Sequence, residues 1–356
     1  MDDLQSPTWK GKLTALVVGL VLLLVITEGV LRVLMPHWQE FYSGWFMRAI
    51  HVPDYGIVST GEPGFDGYFA QNNGDFRVAI KINAFGLRNP EAINQADGRI
   101  WVVGDSMTFG WGVEADEIYS AVIAETLGQK TYNVASPGTN VCGYQALLAR
   151  MPKDIKPRAV VLGLILENDI QPYDCRAQAR QTKQKIKNSP EGTYAAKAPA
   201  EGKRFLTKNF AIYNFIAVSL KRINLVHKVL SSIGVIRPVD TYRNPLSGGN
   251  FDDVVNSTIT EIGALRKMLP PETPFIVVIA PGRFELNSED ALYSRLRLAV
   301  VAALKAQGIS AVDPYEAFKK VGYGPTHFAH DGHWTVLGHR LAGQAATVQL
   351  GRMLAP

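Results

Sequence analysis

The runs RIWVVG, AVVLGLIL and FIVVIAP (99–104, 159–166 and 275–281) are short and apolar at almost every position. Nothing else in the chain constrains its fold as tightly. A strand with one wet face alternates apolar and polar residues. A strand apolar at successive positions has to be covered on both faces, as in a parallel sheet with helices above and below. TYNVAS (131–136) and ISAVD (309–313) read as two further strands, and segments of helical length lie over Ile118–Leu127, Tyr144–Met151, Phe251–Met268, Ser288–Gln307 and onward from about Val336. The alternation predicts a doubly wound, three-layer α/β/α domain with a parallel, flavodoxin-like sheet over residues 99–350. In such sheets ligands gather outside the carboxyl ends of the strands. That rule singles out the residues after IWVVG, YNVAS and LGLIL.

The N-terminus has a different composition. After a tail of residues 1–12 containing Lys10 and Lys12, the run Leu13–Met35 carries only Glu28 and Arg32 as charges. A hydrocarbon core of about 30 Å needs roughly 20 helical residues, which this run supplies. A signal peptide has a shorter apolar region and a small-residue cleavage site; the exit here is LMPHWQEFYSGWF. We therefore expect an uncleaved transmembrane anchor. Glu28 and Arg32, four apart, can pair on one face; alternatively Glu28 meets a partner membrane protein. Trp38, Tyr42 and Trp45 read as an interfacial aromatic belt. Lys10 and Lys12 favour a cytoplasmic N-terminus and an outward-facing main domain, against Arg32 and Arg48 on the other flank.

Residues 36–98, rich in Gly, Pro and Asn, read as a stalk with a strand extension over Phe76–Ile82 and a turn at NAFGLRNP. The α/β alternation is interrupted at about 176–250. The first part of this insertion is basic, polar and expected to be mobile. The second has apolar residues at helical spacing, including Phe205, Phe210, Tyr213, Ala217, Leu220, Ile223 and Val226. It either packs on the core or lies on the bilayer or over the site. The net charge of +5 in 356 residues is mild, and the cations are spread without aromatic interleaving, so nucleic acid is excluded as a partner.

The first strand runs into GDSMTFGWG. A Walker loop needs Lys after the last glycine, and a dinucleotide fingerprint needs G-x-G-x-x-G; neither spacing is present. Ser106 falls instead at the start of a helix, where free N–H groups favour developing negative charge. A serine nucleophile needs a base, itself held by a third group. Four of the seven histidines lie in HFAHDGHWTVLGH, with Asp331 two residues before His333. His327, His330 and His333 could instead suggest a metal, but a hydrolytic zinc site wants defined ligand spacing and a carboxylate base, and no metal is expected. Asp105 reads as a cap, Asp169 as a partner within its own loop, His339 as a packed or surface histidine, and Arg88 as structural.

These blocks together resemble the SGNH/GDSL hydrolase superfamily, from about Ile100 to Leu350 outside the insertion. GDSMTFG is similar to its first block, with Ser106 as nucleophile. NVASPGTN is similar to the second and LENDI to the third, which implies an oxyanion hole from the N–H groups of Ser106 and Gly138 and the amide of Asn168. HDGHW is similar to the last, with His333 as base and Asp331 as its orienter. Two departures stand out. Leu166 occupies a position commonly held by glycine, and D-x-H replaces the common D-x-x-H. D-x-H-W and the upstream INAFGLRNPE resemble membrane-anchored bacterial members that act as polysaccharide O-acetyltransferases of the alginate-acetylation type. The resemblance implies a serine esterase or O-acyltransferase, without cofactor, acting on acyl esters of envelope glycans or lipids. It also implies a single-pass protein of a bacterial inner membrane with a periplasmic main domain. Both oxyanion loops would carry a cysteine, Cys142 and Cys175, and in an oxidising periplasm a disulfide could clamp them. A reading of another class is an accessory or binding subunit of a membrane complex with a vestigial site.

Overall fold

The computed structural model describes residues 8–71, 74–187, 201–216, 229, 232 and 249–355. The chain divides into two compact units, one of Met1–Tyr42 with Pro199–Ile236 and one of Ser43–Ala198 with Arg237–Pro356.

The first unit is built on a 26-residue helix, Trp9–Leu34, none of whose residues is buried. It is long and apolar enough to cross a membrane. It starts earlier than Leu13 because Thr8 caps it, accepting a hydrogen bond from the Gly11 N–H (3.3 Å). The two charges in the run pair, Arg32 Nε donating to Glu28 at 2.8 Å. Both also hold the insertion. Glu28 accepts from the backbone N–H groups of Ala211 and Ile212, each at 2.9 Å, and Arg32 donates to the Asn209 carbonyl at 2.7 Å. Thus Glu28 finds its partner within its own chain. Trp38, expected in an interfacial belt, is buried against protein, with the Arg32 guanidinium 5.4 Å from its ring centre.

The second unit contains the predicted sheet. Its strands are β1 (Met47–Val52), β2 (Gly56–Gly61), β3 (Asp66–Ala70), β4 (Arg77–Lys81), β5 (Ile100–Gly104), β6 (Thr131–Ala135), β7 (Ala159–Ile165), β8 (Phe275–Ala280) and β9 (Ser310–Val312). The last five form one sheet in the order β6-β5-β7-β8-β9, all pairs parallel. This is the flavodoxin-like doubly wound order, whose crossover point lies at β5 and β7. Successive strand residues enter different cores. Trp101 and Val103 pack with helices Val141–Arg150, Phe251–Arg266 and Ala291–Ala306. Ile100 and Val102 pack with Tyr119–Leu127 and Val336–Leu354. The fold is therefore a three-layer α/β/α sandwich.

Two segments differ from their sequence reading. Within the expected stalk, β1 and β2 form an antiparallel hairpin, as do β3 and β4. Its Gly and Pro residues mark the turns within and between these hairpins rather than a spacer; Gly56 and Gly74 in the two hairpin turns and Gly64 between the hairpins all have positive φ. The start of the insertion, expected to be mobile, is the helix Cys175–Lys187. It is fixed by buried Cys175 and Ala179 and by a disulfide between Cys175 and Cys142. Ala217, Leu220, Ile223 and Val226 lie outside the described residues.

Candidate active site

At the carboxyl end of β5 the chain turns at Asp105 into a single helical turn, Ser106–Phe109. The Asp105 carboxylate accepts from the Met107 N–H at 2.9 Å and fixes the turn. Ser106 Oγ lies 2.8 Å from His333 Nε2. On the far side of the ring His333 Nδ1 bonds Asp331 Oδ1. The other oxygen, Asp331 Oδ2, accepts from Gln71 Nε2 at 2.6 Å. The Trp111 ring stacks on the imidazole, 5.5 Å between centroids. Burial alone would raise the Asp331 pKa, but the His333 hydrogen bond and charge outweigh it and hold the carboxyl below its ordinary value. An ionised Asp331 selects the tautomer with hydrogen on Nδ1 and leaves Nε2 free to accept from the serine.

The short D-x-H spacing works because of Gly332. Its φ of +80° turns the chain so that Asp331 and His333 meet across one residue. A side chain there would also collide with Arg283, whose Nη1 would stand 2.4 Å from an added Cβ. The His333 carbonyl accepts from the Phe328 N–H at 2.9 Å, and His327 bridges Trp334. The histidine therefore sits on a closed loop rather than a free one.

Gly138 and Asn168 follow β6 and β7, the two strands that flank β5. Gly138 has a φ of +73°, and the next residue, Thr139, donates its hydroxyl to the Ser136 carbonyl at 2.5 Å. Asn168 Nδ2 donates to Asp105 Oδ2 at 3.3 Å, which ties the third motif to the first. An amide carries two hydrogens, so one remains for a ligand. Leu166 opens the turn Leu166–Asp169 as a fully buried core residue. Its backbone φ is negative, so glycine is not required there.

A layer of buried acids supports these loops. Asp169 accepts from Tyr144 Oη at 2.9 Å and the Ile165 N–H at 2.8 Å. Burial pushes its pKa up, and the Asp105 charge adds to this; burial raises Asp105 as well. Burial also raises Glu167, partly offset by Arg283. Asp105 and Asp169 thus brace the loops, in keeping with their sequence reading.

The other histidines of HFAHDGHWTVLGH have partners of their own. His327 is buried, bonded to Thr326 Oγ1 at 2.9 Å and stacked on Tyr323. His330 bonds Asp75 at 2.8 Å. His339 is fully buried and accepts from the Tyr119 N–H at 3.3 Å. Burial lowers the pKa of both His327 and His339 to about 3. Among the described residues no cluster of His, Cys, Asp or Glu gathers as metal ligands would.

Sequence reasoning missed Gln71 and Trp111. Gln71 lies on the β3–β4 connection, 260 residues from its partner, and no local pattern marks it. The hairpin that carries it packs Phe69, Phe76, Val78 and Ile80 against Phe109 and Phe328. Arg88, read as structural, is buried and donates to the carbonyls of Ala79, Phe109 and Val113 at 2.8–3.2 Å. It therefore fixes both the hairpin and the exit from the serine turn.

No family model and no curated protein matches the chain. Similar solved structures include a lipolytic protein of the G-D-S-L family from Veillonella parvula, at 12% identity, 71% of this chain, 98% of that chain and a TM-score of 0.38. A carbohydrate esterase family 2 enzyme from Corynascus thermopiles is similar at 15% identity, 72% of this chain, 66% of that chain and a TM-score of 0.40. An active-site mutant of a family two carbohydrate esterase from Clostridium thermocellum is similar at 12% identity, 72% and 64% coverage and a TM-score of 0.39. At such identities and TM-scores the similarity assigns no role to any residue of this chain.

Proposed function

We propose that the chain is a membrane-anchored serine esterase or O-acyltransferase acting on acyl esters, acetyl foremost, of cell-envelope glycans or lipids. The observation that carries this reading is the contact of Ser106 Oγ with His333 Nε2 at 2.8 Å, with Asp331 bonded to the other ring nitrogen. Ser106 attacks the ester carbonyl while Nε2 takes its proton. Asp331 steadies the imidazolium that forms and stays ionised. As the first residue of a helical turn, Ser106 has a backbone N–H without an intrahelical acceptor. That group, the Gly138 N–H and the second hydrogen of the Asn168 amide receive the oxyanion. Loss of one such donor typically raises the barrier by about 2.7–4 kcal/mol. His333 then returns its proton to the leaving alcohol, and the acyl-serine passes to water or to a sugar hydroxyl.

The helix Trp9–Leu34 is the anchor in this reading. The Cys142–Cys175 disulfide suits an oxidising compartment such as the periplasm, and this supports a main domain outside a bacterial inner membrane. A fluorophosphonate probe and p-nitrophenyl acetate test the chemistry. The wild-type chain is expected to be labelled and to turn over, and Ser106→Ala to do neither. Labelling that survives the substitution, or turnover in neither protein, would favour the accessory-subunit reading. Addition of a glycan acceptor then separates transfer from hydrolysis.

A further inference from the structure

The sequence left open whether the apolar part of the insertion packs on the catalytic core or lies on the bilayer. Its described residues belong to the unit of the apolar helix. Two short helices, Glu201–Asn209 and Ala211–Asn214, meet at Phe210. Four backbone groups around that junction are taken up by side chains from the end of the long helix and the turn after it. Glu28 accepts the N–H groups of Ala211 and Ile212. Arg32 donates to the Asn209 carbonyl, and Gln39 to the Lys208 carbonyl at 3.1 Å. The carboxylate meets a helix N-terminus and the Arg32 cation meets a carbonyl at a C-terminus, the favourable sense at both ends, while the neutral Gln39 amide satisfies a second carbonyl there. One face of the segment is closed by this docking, with Thr207, Ala211 and Asn214 buried. The opposite face exposes Phe205, Leu206, Phe210 and Ile216, at 59%, 37%, 41% and 52%.

We propose that residues 205–216 form an interfacial element of the same bilayer that the long helix crosses, with the exposed Phe, Leu and Ile side chains in lipid. The inference rests on the anchor reading and goes beyond it. Three observations point to lipid as the occupant. First, the exposed apolar face continues the exposed apolar surface of the Trp9–Leu34 helix to which it is tied. Second, Glu28 lies about 10 Å along the helix from Met35, so the junction is held near the level where amphipathic segments bury their apolar face, about 5–10 Å deep. Third, Lys203, Arg204 and Lys208 oppose only Glu201 in EGKRFLTKN, the charge sign that suits anionic headgroups. The docking also explains how a glutamate is tolerated in an apolar span. Backbone N–H groups and an arginine satisfy it, and in return it supplies the acceptors that a helix N-terminus lacks in lipid. The insertion thereby gives the second unit a further attachment to the membrane.

Site-directed bimane fluorescence tests this in the full chain, reconstituted in phosphatidylethanolamine–phosphatidylglycerol vesicles with and without doxyl-labelled lipid. The native cysteines are paired and do not react, so Phe205→Cys, Phe210→Cys, Ile216→Cys and a control, Leu22→Cys, each take one label. Quenching by doxyl lipid is expected at all four. Quenching at residue 22 with none at 205, 210 and 216 would overturn the proposal, since the face would then be covered by protein or water. Loss of quenching at residue 22 itself would overturn the anchor reading and this inference with it. In a Glu28→Gln, Arg32→Gln background, quenching at 205 and 210 should fall at least two-fold while residue 22 is unchanged. Unchanged quenching at 205 and 210 would overturn the role given to the clamp.

Discussion

The Asp331 carboxylate has two oxygens, and both are engaged. His333 bonds one and Gln71 the other. Gln71 is a positioning residue in the proposed mechanism, since it acts on Ser106 only through Asp331 and His333. A hydrogen bond to a charged group contributes about 1.5–3 kcal/mol, so Gln71→Ala should lower kcat by about ten-fold or more with KM little changed. Gln71→Glu places a second carboxylate beside Asp331, stabilises the protonated imidazole and should move the acid limb of the pH–rate profile upward. A pH profile identical to wild type in Gln71→Glu would contradict this role. The one-residue step between Asp331 and His333 depends on the positive φ of Gly332. The sequence displayed the short spacing but not the backbone conformation that makes it work. Ser106, Asp331 and His333 were legible because each lies in a compact motif. Gln71 was not, because its partner is distant in sequence and glutamine carries no pattern of its own.

At the scale of elements, apolar strands announce themselves and half-exposed ones do not. β5, β7 and β8 are buried at every position, so the sheet and its strand ends could be read directly. β1 has only Val52 buried, and its neighbouring glycines resemble a spacer. The helix Cys175–Lys187 has only Cys175 and Ala179 buried, too narrow a stripe to register as amphipathic among its polar and basic residues. Its attachment to the core is covalent. The disulfide joins it to the helix Val141–Arg150 across 33 residues of sequence. A loop of that length gives about 3–4 kcal/mol on the chain-entropy account. Replacement of both cysteines by serine should lower unfolding stability by about that amount, measured by urea titration of the detergent-solubilised chain. The same replacement should raise proteolysis within residues 175–187. A double variant with wild-type stability and protease resistance would contradict that account.

For the whole molecule, pH acts on stability through buried groups of opposite sense. His327 and His339 have folded-state pKa values lowered to about 3 by burial, against about 6.5 in an unfolded chain. The unfolded state therefore binds more protons between pH 6.5 and 3. The contribution of these histidines is fully present above pH 6.5 and is lost as pH falls, by up to about 1.4 kcal/mol per pH unit for each. The raised carboxyls of Asp105, Glu167 and Asp169 act in the other direction, so the difference between variants is more telling than the wild-type curve alone. His339→Gln keeps an acceptor for the Tyr119 N–H and removes the titration. Its stability should fall less steeply than wild type between pH 6.5 and 4 in urea titrations at stepped pH, and parallel curves would contradict the assignment.

In the proposed mechanism Ser106 carries an acyl group during turnover. Mass spectrometry of a rapidly quenched reaction with an activated acetyl ester tests it most directly. One acetyl group is expected on the peptide containing Ser106, and none in Ser106→Ala. Turnover of the ester with no acylated Ser106 peptide, or with the acetyl group on another residue, would contradict it.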